Sequence, residues 1–417
     1  MSELEKLLDG VETQYLPLGE ICDFKNGFAF KSSLFMDEGF PIIRITNING
    51  KNVDLSDVKY FNPKDYKKSN PLNYSIIYGD VLIAMSGATT GKIGYYNCNE
   101  TAYLNQRVGK FEPKEEILNT RYLYHFLLTK ADFIYVLAGG GAQPNLSSNK
   151  LKEKLEIPIP CPDNPEKSLK IQKEIVRILD TFTELTTELT TELTARKKQY
   201  NYYREQLLTF DENEIKHLPM GDESLGEFIR GKRFVKTDMI SEGVPCIHYG
   251  EMYTHYDTWA DKTKSFVRKK LVEKKNLRLA EKGDVVVVAA GETIEDIGKG
   301  TAWLGEEGVV IHDACFYYKS NLNPKYVAYF TRTRQFHDQI KKHIRTGKIS
   351  AINAAGLGKA IIPVPSLEEQ ERIVNILDKF DTLTTSISEG LPREIELRKK
   401  QYEYYREKLL TFPIQDN

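Results

Sequence analysis

The chain has 417 residues, 41% of them hydrophobic and 28% charged, a length that calls for two globular units or more, each burying its own core. Lys and Arg total 58 against 59 Asp and Glu, so bulk charge holds no polyanion and any nucleic-acid footprint must be local. The absence of a long apolar run, the acidic stretch Met1 to Gly10, five cysteines without CxxC spacing and seven histidines without a ligand-spaced pair exclude a membrane span, a secretory signal, a disulfide framework and structural zinc, and a cytoplasmic location is expected.

Taken in chain order, the first segment carries short β-rich runs such as Val81 to Met85, punctuated by Gly, Asn and Pro, with few helices, Arg121 to Thr129 among them. After the IPIP ending at Pro160 the period changes. Ile171, Ile175, Ile178, Phe182, Leu185, Leu189, Leu193, Tyr200, Tyr203, Leu207 and Phe210 recur at spacings of three and four, the seam of a coiled coil. Within it Thr183 to Thr194 reads TELT three times. Each copy keeps one Leu in phase with the seam, so a helical spacer is favoured over a disordered, mucin-like tract. A second β-rich segment follows, with runs such as Val285 to Ala289. A second seam runs from Ile373 to Phe412, where Gly390 and Pro392 are expected to kink or break it.

The chain is written twice. RKKQYNYYREQLLTF from Arg196 returns as RKKQYEYYREKLLTF from Arg398, and QKEIVRILDTFTELT from Gln172 returns as QERIVNILDKFDTLT from Gln370. IPIP returns as the IPVP ending at Pro365, and GDVLIAMSG at Gly79 answers GDVVVVAAG at Gly283. One unit was duplicated, and its β-rich parts diverged while its helices did not. Two globules doing one job on different targets, and two helices doing one identical job twice, are the expectation. If the second rod packs antiparallel on the first, their seams bury each other in a pseudo-two-fold arrangement.

Three kinds of motif bear on chemistry. The loop Ser86 to Lys92 is glycine-rich but fails the phosphate-loop pattern, with three residues between its glycines and Ile93 after the lysine; Gly291 to Lys299 fails likewise. Ser86, Thr89, Thr90 and Lys92, with Thr293 and Lys299 in the other half, suit phosphates or base edges of a duplex instead. Arg44, Asn47 and Asn49 offer side chains suited to guanine and adenine. Their repeat mates His248, Tyr249, Glu251 and Tyr253 have different chemistry, as do Asn105, Gln106 and Arg107 against His312, Asp313 and Ala314. A plain turn is the alternative at any one position. Lys25, Lys31, Lys232, Arg233 and Lys348 complete the candidate DNA-binding set, Lys348 lying in one of two glycine-containing loops, Ala138 to Leu146 and Arg345 to Ile352. The basic run Lys262 to Lys282 reads as a solvated face in preference to a binding site. Pro162-Asp163 lacks the remainder of a nuclease motif, and no adenine-methyltransferase motif occurs. Tyr202 and Tyr404 fall opposite the seam, where an aromatic ring with a polar tip favours a protein interface; Arg204 and Arg406 are grouped with them as partner-binding candidates.

These residues resemble a family, the specificity subunits of type I restriction-modification systems. The likeness covers the whole chain through the duplicated IPIP/IPVP segments, the Q(K/E)xIVxILDxF helices and the RKKQYxYYRExLLTF endings. It implies an α+β fold with two tandem target-recognition domains, residues 1–157 and 211–361, separated and followed by helical spacers, 158–210 and 362–417, that pair as an antiparallel coiled coil. It also implies a non-catalytic, DNA-reading role in phage defence. Each domain would read half of a split double-stranded site. The helices would hold two modification subunits that carry S-adenosylmethionine, and restriction subunits using ATP and Mg²⁺ would join them. A nuclease or methyltransferase fragment acting by itself, and a pure coiled-coil scaffold, are the alternatives; the absent motifs count against the first.

Overall fold

The computed structural model describes residues 8, 10–140, 144–386 and 388–412; Gly141 to Gln143 of the first glycine-containing loop, most of Met1 to Gly10 and the last five residues of the 362–417 spacer fall outside that set. No described helix is long and apolar enough to cross a membrane. Contacts divide the chain into two compact units, one formed by Met1–Leu189 with Ile395–Asn417 and the other by Thr190–Glu394. The sequence-based division at 157/158, 210/211 and 361/362 follows the repeat; the contacts instead cut inside the helical segments.

In the first unit a four-stranded sheet orders Cys22–Asn26, Val108–Pro113, Val81–Ala84 and Ile93–Tyr95. A second orders Lys59–Phe61, Phe40–Ile43, Ala102–Leu104 and Ser75–Ile76. Val81–Ala84 is buried on both faces, which explains its unbroken apolar run. With side chains alternating at period two, Val81 and Ile83 enter the core shared with the helix Thr120–Thr129, and Leu82 and Ala84 enter the core shared with Ile43 and Leu104 of the second sheet. The second unit repeats this: Val285 and Val287 face the helix Pro324–Phe330, while Val286 and Val288 face Ile247 and Ile311.

The duplicated motifs have matching tasks. Asn119 and Asn323 cap these two helices through their side chains, and their own N–H groups donate to Gln172 Oε1 and Gln370 Oε1, both at 2.8 Å. The buried hydroxyls of Tyr122 and Tyr326 donate to Pro158 O and Pro363 O, so the IPIP and IPVP strands supply the acceptors.

A single helix runs from Pro165 to Leu207, 43 residues, through the whole TELT tract. Thr183, Thr186, Thr187 and Thr194 each donate their hydroxyl to the carbonyl four residues back, so threonine is satisfied inside the helix. The second spacer is two helices, Leu367–Thr385 and Leu391–Leu410. The expected break lies at Gly390, whose φ of 74° suits glycine and where a Cβ would meet the carbonyls of Thr382 and Leu383.

Each unit pairs helices from different halves of the sequence. In the first, Ile171, Ile175 and Leu179 share a core with Leu409, Leu410 and Phe412, and Phe182 stacks on Tyr405 with centroids 5.2 Å apart. Tyr15 OH donates to Phe412 O, and Tyr15 lies opposite Pro158 in the strand pair that precedes the long helix. The C-terminal helix therefore ends where its partner begins, and the pair is antiparallel. In the second unit Phe380 stacks on Tyr203, the counterpart ring pair, at 5.5 Å. Gln335 and Gln339, one turn apart, donate to Leu208 O and Ile361 O. Leu208 is thus beside the strand that precedes Leu367–Thr385, and this pair is antiparallel too.

Candidate nucleic-acid interface

Backbone hydrogen bonds place the candidate loops on the same framework in both domains. Asn105 N donates to Ile43 O as His312 N donates to Ile247 O; Met85 N donates to Arg107 O as Ala289 N donates to Ala314 O. Ala84 N donates to Lys92 O as Val288 N donates to Lys299 O, and Gly91 and Gly298 take the same left-handed φ, 83° and 94°, just before. Lys92 therefore corresponds to Lys299, Gln106 to Asp313 and Arg107 to Ala314, the second loop being longer by three residues.

Several expected readers are claimed by this framework. Asn47 is 3% exposed; its Oδ1 accepts from Arg44 N, and its Nδ2 donates to Asp54 O and Asp57 O. Glu251, 8% exposed, accepts from His248 N and from Ser265 Oγ. Both are the closing residue of the same capping turn, so the expectation that they read bases is corrected: their polar atoms are spent locally. Thr90 is buried with its hydroxyl against Gly87 O and Pro144 O, and it too is withdrawn. Thr89 donates to Ile45 O, and Ser86 Oγ is enclosed without a partner among the described residues. His248 is buried with Nδ1 accepting from Gly250 N, and burial, followed by the nearby His312, pushes its pKa down to about 4; it is neutral and structural. Arg44 leans on Asp57 at 3.4 Å, and exposed Asn49 folds its Oδ1 onto Lys51 N and Asn52 N.

Lys92, Gln106 and Arg107 of the first domain are outward, all exposed and without a side-chain hydrogen bond or ion pair among the described residues. Asn105 beside them is half-buried, its Oδ1 accepting from Arg107 N. Lys25 is half-buried on the edge strand Cys22–Asn26, and Lys31 is exposed next to Tyr66. In the second domain Tyr249, Tyr253, Thr293 and His312 come together around a cleft of about 510 Å³. Asp313 lines it too, together with Arg230, Glu292 and Asp296, which sequence reasoning missed. Lys299 is ion-paired to Asp296. Lys232 is half-buried, while Arg233 and Lys348 are exposed. Arg230 Nε donates to Asp313 O, and Arg278 Nη1 donates to Arg230 O, so one end of the basic run Lys262 to Lys282 abuts the cleft. A larger cleft, about 1220 Å³ around Gly221, Asp222 and Lys359, contains none of the expected residues. No metal-holding group of His, Cys, Asp and Glu occurs among the described residues.

On the helices Tyr202 and Tyr404 are 60% and 59% exposed. Arg204 and Arg406 lie half-buried over the rings of Tyr200 and Tyr402, at 5.4 and 5.2 Å from the centroids, which leaves the tyrosines as the outward groups.

A duplicated loop framework carrying unlike side chains has a counterpart among known proteins. The family model described as "Type I restriction modification DNA specificity domain" matches residues 10–197 and again 223–397. The chain belongs to the type I restriction-modification specificity-subunit family. It is 36% identical over 428 residues to the type I restriction enzyme EcoR124I/EcoR124II specificity subunit of Escherichia coli, covering 99% of this chain and 98% of that one. It is 34% identical over 435 residues to a putative type I specificity subunit of Haemophilus influenzae, covering 98% of each. The fold matches a type I S subunit from M. genitalium, with a TM-score of 0.55, 17% identity and full coverage of both chains. A chain from a structure of type I complex assembly matches with a TM-score of 0.61, 14% identity and 95% and 97% coverage. As a specificity subunit this protein has two target-recognition domains and a DNA-recognition role in place of a catalytic one.

Proposed function

We propose that this specificity subunit reads a split, asymmetric DNA site, half through each target-recognition domain, and scaffolds two modification subunits. The pair of loop frameworks carries the reading. Shared backbone bonds present the loops alike, and the outward residues differ, Lys92, Gln106 and Arg107 against a tied Lys299, Asp313 and Ala314. Phosphate contacts set the position of a protein on a duplex and side chains at base edges set the sequence, so one docking mode with two side-chain sets reads two different half-sites. Tyr202 and Tyr404, on equivalent turns of equivalent helices, offer one surface twice to two copies of one partner. In this reading S-adenosylmethionine belongs to the modification subunits, ATP and Mg²⁺ to restriction subunits, and the assembly works in the cytoplasm.

Incubation with S-adenosylmethionine, ATP, Mg²⁺ and DNA is the test: the chain alone is expected to do nothing, and with its modification subunit to methylate a two-part site as a complex of two modification subunits to one specificity subunit by mass. Methyl transfer by the chain alone, or a saturated one-to-one complex, would overturn the reading.

A further inference from the structure

The residues just past two equivalent strands, Ala102–Leu104 and Val309–Ile311, differ in a way that names a base class for each half-site. In the first domain Arg107 is held by its main chain, its N–H on Asn105 Oδ1 and its carbonyl on Met85 N, while its guanidinium is exposed and unbonded among the described residues. Arg44, another candidate arginine of the first domain, is turned to Asp57. In the second domain Asp313 lines the cleft between Tyr249 and Arg230 with its side chain 33% exposed. Its carboxylate lies 3.2 Å from His312 Nδ1, but that nitrogen already accepts from Ala314 N and so has no proton to give. Asp313 thus faces the cleft as an acceptor without a donor among the described residues, while its main-chain oxygen, bonded to Arg230 Nε, fixes its place.

Resting on the reading of these domains as half-site readers, we propose that Arg107 selects a guanine in the first half-site and Asp313 selects a cytosine in the second. Guanine offers two acceptors, O6 and N7, in the major groove, which match the paired donors of a guanidinium. An ionised carboxylate only accepts, so it repels phosphate and cannot satisfy guanine, nor the N7 of adenine. The N4 amino group of cytosine, a donor without an adjacent acceptor, is its match. Ala314 at the place of Arg107, and Gln106 at the place of Asp313, remove the opposite choice from each domain.

The test uses the complex with the modification subunit. Its methylated sites are mapped, then its affinity is measured on duplexes in which each assigned guanine or cytosine is replaced in turn. Wild type is expected to require guanine at one position of the first half and cytosine at one of the second, including loss of binding to a cytosine analogue lacking the 4-amino group. Arg107→Ala should relax the first position alone, and Asp313→Asn should move the second from cytosine toward adenine, each losing about ten- to a hundredfold affinity for the original site. A thermal unfolding midpoint unchanged in both variants shows that they remain folded. A wild-type complex with no two-part site would sink the reading of the function. A two-part site that neither variant alters, or that Asp313→Asn alters in the first half, would sink this proposal and leave that reading standing.

Discussion

Lys92 and Lys299 occupy one place in the two domains, yet Lys299 has the Asp296 carboxylate beside it and Lys92 is unpaired among the described residues. A cation already neutralised releases fewer counterions on meeting a phosphate. Lys92→Ala is therefore expected to weaken binding to all duplexes alike and to reduce the slope of log K against log salt by about one, and Lys299→Ala to change it less; titrations of the assembled complex across a salt series decide this. Asn47 behaves differently: Asn47→Ala strips three hydrogen bonds from a buried turn, and a loss of about 1–3 kcal/mol in urea unfolding is expected. Residue type alone made Asn47 and Glu251 look like base readers. Their three-residue spacing from Arg44 and His248, the spacing of a capping box, was the signal that they close a turn. Asp313 was in view beside His312, but that its carboxylate lacks a donor among the described residues depends on which way His312 Nδ1 is bonded, and no sequence pattern records that.

The helix pairing of the second unit holds a carboxylate under stress. Asp381 is buried next to Tyr200; burial, then the nearby Asp257, raises its pKa to about 6 against the opposing pull of Arg332, with Asp378 adding to the rise. Below pH about 4 the folded and unfolded chains both keep the proton. As pH rises to about 6 the unfolded chain releases it first, so stability falls across that window, by about 3 kcal/mol for a shift of roughly two units. Asp381→Asn should thus gain stability over wild type progressively between those values, read as urea midpoints at several pH values; a gap that stays constant would contradict it. In the long helix, deleting Thr187 to Thr190 removes one TELT copy and about 6 Å of helix, with Leu185 and Leu193 brought four apart and still on the seam. The four residues also turn the helix by about 40° beyond a full turn, close to the roughly 34° that one base pair turns in DNA. A spacer between half-sites one base pair shorter, with unchanged bases, is the expected result in a methylation map of the deletion variant. The helical character of this tract was legible because its leucines keep the seam's phase. The hydroxyl bonds to carbonyls four back show why so many threonines are tolerated.

Across the whole molecule, the duplication, the fold class and the break at Gly390 could be read from the residues, since repeats, period and glycine are local properties of the string. The antiparallel partnership of the two helical spacers was also expected, from their shared seam and the family likeness; which rings meet was not, and contacts such as Phe182 on Tyr405 and Phe380 on Tyr203 supply that. Both tyrosine surfaces flank equivalent rings, Tyr202 beside Tyr203 and Tyr404 beside Tyr405. Tyr202→Ala combined with Tyr404→Ala should weaken assembly with the modification subunit while thermal unfolding of the isolated chain is unchanged. The most direct measurement of the central claim, that two domains read two half-sites independently, is methylation-site mapping of a chimera in which residues 15–155 are replaced by those of another specificity subunit. One half-site should change to that of the donor while the other half and the spacer stay the same; a chimera that alters both halves, or neither, would contradict the account.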